Sequence, residues 1–151
     1  IQLDGNMKNK KLKIKLKYII ALSIIAIAFL GFTFDYFWAK TYNIEIVNIS
    51  NPTPYADSKE RVTIDVKVTH FNNPCKNHEI YALPSAGSMV AYTTKTDENG
   101  WATLTYTPYT KTAFVKLEDV KIVIRDQSNS IFWEINAKTS LTLKMVEKPK
   151  G

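Results

Sequence analysis

A single cysteine, Cys75, and only two histidines, His70 and His78, occur in the whole sequence. One thiol excludes an intrachain disulfide and a four-thiolate zinc site. The three residues form His-x4-Cys-x2-His around one predicted turn, and no further Cys or His exists to complete a zinc or copper sphere. Two turn histidines and a small buried or free thiol are therefore the expectation. Read as a Cys–His nucleophile pair, the set lacks a glycine-rich oxyanion loop and a third orienting group. Asp97, Glu98 and Asn99 lack the alternating oxygens of a calcium loop. Adjacent Glu118 and Asp119 would point to opposite faces of a strand and do not make a cooperating carboxylate pair. No catalytic residue, metal, cofactor or small-molecule substrate is expected, and the chain reads as a non-enzyme.

Charge excess is also scarce in the body of the protein. The sequence has 20 Lys and Arg against 14 Asp and Glu, but six of the lysines (8, 10, 11, 13, 15 and 17) and one acid, Asp4, fall within the first 17 residues. From Tyr18 onward 14 bases face 13 acids. The basicity belongs to a tail, so no nucleic-acid partner is expected. With 151 residues, 45% hydrophobic and 23% charged, the chain has the composition of one ordinary globular domain with an appendage.

The long apolar run is the appendage. After the basic tail, residues 1–17, the 17 residues from Tyr18 to Phe34 carry no charge. At ~1.5 Å per residue a helix over residues 18–38 is roughly 31 Å long, the thickness of a bilayer core. Lys17 and Tyr18 at one end and Tyr36, Phe37 and Trp38 at the other are expected at the two membrane interfaces. Asp35 is expected at the outer boundary, within reach of water. The lysines before the span predict a cytoplasmic N-terminus and an extracytoplasmic domain, giving a single-pass protein of the plasma membrane. A cleaved signal peptide ending at Ala26-Ile-Ala28 is the rival reading, although cleavage there leaves an apolar, aromatic new N-terminus. No Cys directly follows the run, which does not support a lipoprotein. Met7 is a natural start for the basic segment, so residues 1–6 are read as preceding it. Ala21, Ala28 and Gly31 share one helical face and would allow close packing on another helix.

From Thr41 onward the pattern changes to period two. Val62, Ile64, Val66 and Val68 alternate with Thr63, Asp65, Lys67 and Thr69, the signature of a strand with one buried face. Similar runs occur at 42–49, 78–83, 89–95, 102–107, 114–117, 120–125, 131–136 and 141–146. Turn clusters rich in Asn, Pro, Ser and Asp separate them. Short strands at regular spacing, with no convincing helix after Trp38, predict an all-β antiparallel sandwich or barrel over residues 59–147, followed by a tail at 148–151. Residues 39–58 are read as a membrane-proximal strand and a Pro-rich hinge. Trp101, Tyr106, Tyr109, Phe114, Phe132 and Trp133 are expected mainly to fill the core. Trp133 alternates with Ile131 and Ile135 and is assigned to it, whereas Phe132 is the better candidate for exposure.

In residues 94–108, Asn99-Gly100 supplies a tight hairpin turn, and alternation resumes with Ala102, Leu104 and Tyr106. The segment resembles the Thr-Asp-x-x-Gly-x-Ala-x-x-x-x-Thr signature of bacterial Ig-like domains of the intimin and invasin type, over about residues 60–108. Trp101 departs from that pattern, as does the lack of glycine between Thr110 and Leu117, so fibronectin-like and transthyretin-like sandwiches stay open. The resemblance implies an Ig-like β-sandwich engaged in display, spacing or adhesion at a cell surface, with no catalytic residues. Membrane and other envelope or surface proteins are the expected partners. The function expected is an accessory subunit of a cell-envelope assembly, with a free-standing adhesin-like or carbohydrate- or peptide-binding module as the alternative.

Overall fold

The computed structural model describes residues 3–149. Residues 1–2 of the expected basic tail and 150–151 of the expected C-terminal tail lie outside the described residues. Among the described residues one helix, α1 (Leu3–Ala39), is followed by nine strands: β1 (Tyr42–Ile49), β2 (Val62–His70), β3 (Asn73–Pro74), β4 (Glu79–Pro84), β5 (Ser88–Met89), β6 (Thr93–Lys95), β7 (Trp101–Thr107), β8 (Val120–Asp126) and β9 (Lys138–Leu143). The basic segment and the apolar segment are thus one continuous helix. Its large apolar side chains, from Tyr18 to Phe37, are left uncovered by the rest of the chain. A helix apolar on all sides is stable only in lipid or among other helices, and this one is long and apolar enough to cross a membrane.

The strands form two antiparallel sheets. One has the order β1-β2-β7-β5 with β3 also paired to β2, and the other has the order β6-β4-β8-β9. The alternation read in the sequence sets the faces: Val62, Ile64, Val66 and Val68 are fully buried, as are Tyr106 of β7 and Val120, Ile122 and Ile124 of β8. Ala102 and Leu104, Ile80 and Ala82, and Leu141 and Leu143 complete the core between the sheets. Fully burying each Val, Ile or Leu side chain contributes roughly 1.5–3 kcal/mol, so this interdigitated layer is what holds the sandwich together. The architecture is the expected all-β, Ig-like sandwich behind an apolar helix.

Several local expectations are corrected. The strand at 42–49 is not separate from the domain: β1 pairs with β2 from Tyr42↔His70 to Ile49↔Ile64, with a bulge between Ile46 and Asn48. Residues 50–58 are not a free hinge either. Ala56 is buried and donates its N–H to Val146 O at 2.9 Å, while Lys144 and Val146 donate to Pro52 O and Pro54 O. Prolines stop this segment from donating a full ladder, but their carbonyls still accept, so it lines the C-terminal residues instead of swinging free.

Residues 89–95 divide between the sheets, since Val90 N–H bonds Thr105 O of β7 and Tyr92 O accepts from Ala82 of β4. The turn at Asp97–Gly100 likewise joins β6 and β7 of different sheets, so it is not a hairpin within one sheet. Gly100, not Asn99, has the positive φ, at 76°. A Cβ there would lie 2.5 Å from Val68 O, so both conformation and close approach to β2 demand glycine. The runs at 114–117 and 131–136 form no strand, and Phe114, Ile131 and Trp133 are exposed.

Candidate functional site

The segment between β8 and β9 folds instead onto the end of α1. Its base is pinned by the sandwich: Asp126 donates its N–H to Ala137 O at 2.9 Å, and buried Asn129 accepts the Ala137 N–H on Oδ1 at 3.0 Å. Its tip is pinned by Asp35. One carboxylate oxygen, Oδ2, accepts the N–H of Phe132 at 2.7 Å and of Trp133 at 2.5 Å, and the Ser130 hydroxyl at 3.2 Å. Oδ1 accepts the Ile131 N–H at 3.2 Å. Successive backbone N–H groups converging on one anion form a nest, and Glu134, at φ 51°, turns the chain back immediately after it.

Asp35 is fully buried, which corrects the expectation that water reaches it. A carboxylate is tolerated out of water only when its lone pairs are met by donors, and here four donors meet them. The close approach is also eased by Gly31, one turn earlier. A Cβ at Gly31 would lie 3.1 Å from Trp133 Nε1 and 3.6 Å from Phe132 Cβ. This glycine therefore receives a segment of its own chain, a use that its placement on a small-residue face did not reveal. Phe34 adds an edge contact to Phe132, with centroids 5.8 Å apart.

A ring cluster continues the joint into the sandwich. Trp38 meets the His70 ring at 4.9 Å, and His70 stacks on Tyr42 at 4.1 Å with the planes within 8°. His78, tilted against Tyr42 at 5.7 Å, bonds through Nδ1 to Oδ2 of fully buried Asp126 at 2.6 Å. Both histidines of the His-x4-Cys-x2-His set thus pack on Tyr42, and His78 is the one bonded to the Asp126 carboxylate. Burial, and then the Asp126 charge, push the Cys75 thiol above its ordinary range, which keeps it protonated and a poor nucleophile or ligand. Among the described residues no three His, Cys, Asp or Glu side chains are grouped to hold a metal ion.

Of the residues expected at the membrane interfaces, Lys17, Tyr18, Tyr36 and Phe37 are exposed on α1, and Lys40 lies 4.3 Å over the Tyr36 ring. Trp38 is half-buried and faces the sandwich. Asp35 is the site residue that sequence reasoning missed in its role. The signal was present as the one acid placed just inside the apolar helix end.

At the opposite end of the sandwich, the segment from Pro108 to Asp119 is held by Tyr109, whose hydroxyl donates to Glu118 O at 2.9 Å and accepts the Glu118 N–H at 2.7 Å. This hairpin-like loop presents Phe114, 97% exposed, together with exposed Val115 and Leu117. Strand direction places it away from α1, because β2 runs from Val62, opposite Tyr106, to His70, opposite Tyr42.

The two sheets and their register define an Ig-like β-sandwich. The chain is similar to a C-terminal 282-residue fragment of intimin in complex with the intimin-binding domain of the translocated intimin receptor, with TM-score 0.54 and 20% identity over 68% of this chain and 33% of that one. It is also similar to the D00-D0 domains of intimin, with TM-score 0.51 and 16% identity over 70% of this chain and 48% of that one. The match therefore spans a third to about half of those chains, and at this identity the likeness is one of fold. No protein-family model matches the chain, and no curated protein sequence matches it.

Proposed function

We propose that the chain is a single-pass envelope protein that holds one non-catalytic Ig-like module in a set position against the outer face of a prokaryotic plasma membrane, as an accessory subunit of an envelope assembly. The observation that carries this reading is the joint itself. Ala39 ends the helix, β1 begins at Tyr42, and Asp35 ties the helix to the segment before β9. A module fixed this close to the membrane suits a place within a larger assembly, whereas an adhesin needs reach and freedom. The lysine-rich N-terminal segment supports a cytoplasmic N-terminus. The intimin fragment in complex with its receptor domain is a precedent for this fold in binding protein, and it supports protein partners here. The free-standing surface module is the alternative, favoured by the exposed Phe114 loop at the far end.

Two measurements test the reading. Protease added to intact spheroplasts is expected to degrade the sandwich and leave a small membrane-bound fragment, and full protection of the sandwich would reverse the orientation. A flexible Gly/Ser insert between Lys40 and Thr41, combined with Asp35→Asn, unlocks the joint without removing the anchor. Loss of co-purifying partners in mild detergent is expected of a subunit, and unchanged recovery together with an unchanged cellular phenotype would favour the free-standing module.

A further inference from the structure

We propose that residues 130–134 are a second membrane contact of this protein, a backbone loop whose tip, Ile131-Phe132-Trp133, lies within the outer leaflet beside α1. The inference rests on the reading of α1 as a membrane span. Ile131, Phe132 and Trp133 are 60%, 63% and 53% exposed, three consecutive large apolar side chains that the sandwich does not cover. The donor half of their backbone is nevertheless prepared for a dry environment, since all three N–H groups are taken by Asp35. Irregular backbone in lipid is costly because its N–H and C=O groups go unmet, and here the nest removes the N–H part of that cost for the tip.

Depth follows from the helix. Trp133 lies against Gly31 and Phe132 against Phe34, and Gly31 is seven residues before Trp38, roughly 10 Å down the helix axis. Any bilayer that accepts residues 18–38 as its span therefore also reaches the tip. Between tip and helix runs a groove of about 1000 Å³ with an almost wholly apolar lining that includes Ile27, Ala28, Leu30 and Phe37. It is continuous with the lipid-facing side of α1, so acyl chains of the outer leaflet are its occupant. Trp133 has the amphipathic ring that favours the interfacial layer.

The test uses the full chain reconstituted in phosphatidylcholine–phosphatidylglycerol vesicles that carry a nitroxide near the glycerol end of the acyl chain. In W38F/W101F Trp133 is the one remaining tryptophan, and in W101F/W133F Trp38 is, each excited selectively over tyrosine. Trp133 emission is expected to be blue-shifted and quenched about twofold or more by the nitroxide lipid, as for a ring at or below headgroup level. Quenching of Trp38 without quenching of Trp133 would overturn the loop contact and leave the span intact. Quenching of neither would overturn the span and the loop contact together. Phe132→Trp in a background of W38F/W101F/W133F places a reporter on the neighbouring tip residue and guards against a local effect of one ring, and the same quenching is expected there.

Discussion

The Asp35 carboxylate and the Trp133 backbone amide, 98 positions apart in sequence, meet in a hydrogen bond of 2.5 Å. That bond, with its companions from Ile131 and Phe132, makes an otherwise irregular segment part of the helix end. It also makes the orientation of the sandwich relative to α1 a property of a few polar contacts and a ring cluster.

Replacing Asp35 by Asn keeps the shape and one acceptor oxygen but removes the charge and turns an NH2 group toward N–H donors. Amide exchange at residues 131–133, measured on the full chain in detergent, is expected to accelerate about tenfold or more as the tip opens locally, while amides of β2 and β7 keep their protection. Unaltered exchange at the tip would show that the carboxylate does not hold it.

Gly100 has φ 76° and no room for a Cβ beside Val68 O. Gly100→Val is expected to destabilise the sandwich by ~1–3 kcal/mol. Asn99→Ala, beside it at the exposed turn, should stay within ~0.5 kcal/mol of the parent. Urea midpoints of the full chain in detergent separate the two, and equal effects would refute the assignment of strain to position 100.

The place of β1 in the sheet predicts a boundary. A fragment of residues 40–151 is expected to unfold in one cooperative step, whereas 59–151 lacks β1, exposes the β2 edge and loses the contacts of Ala56 with Val146. Calorimetry on the two fragments checks this. Equal melting temperatures would mean that β1 contributes little to the domain.

Burial pushes the Tyr106 phenol up to about 12 from its ordinary value near 10, and its hydroxyl donates to Ala86 O at 2.9 Å. A folded pKa above the unfolded one means that the stabilisation is complete below about pH 10 and is lost as pH rises toward about 12. Tyr106→Phe is expected to cost about 1 kcal/mol at neutral pH through the lost hydrogen bond and to flatten the alkaline decline. Parallel stability curves for both proteins above pH 10 would contradict the proposed titration.

Phe114 is 97% exposed on the loop at the end of the sandwich away from α1, so Phe114→Ser should leave the melting temperature unchanged. If a protein partner docks at that end, partner recovery in mild detergent falls. Recovery equal to the parent would assign partner contact to other surfaces.

Much of the sandwich is legible from residue order alone. In Val62–His70 and Trp101–Thr107 the side chains alternate, and a strand has only two faces, so alternation states which residues share the core before any partner strand is known. The apolar run at 18–38 is equally local information, because helix rise and bilayer thickness are both fixed lengths. Ile131, Trp133 and Ile135 alternate in the same way, yet they form no strand, and Ile131 and Trp133 are exposed. Alternation tells which side chains point together and says nothing about where the backbone donors go. In β2 the donors meet β1 and β7, and at 131–133 they meet Asp35, a residue nearly a hundred positions away. The turn at Gly100 was readable as a turn, but whether its flanking strands join one sheet or two depended on β6 pairing with β4 and β7 with β2. Sequence by itself determined the helix, the strand faces and the turn; pairing, docking and the burial of Asp35 were decided by tertiary structure, because each depends on which distant group reaches a donor or an edge first satisfied in the folded chain.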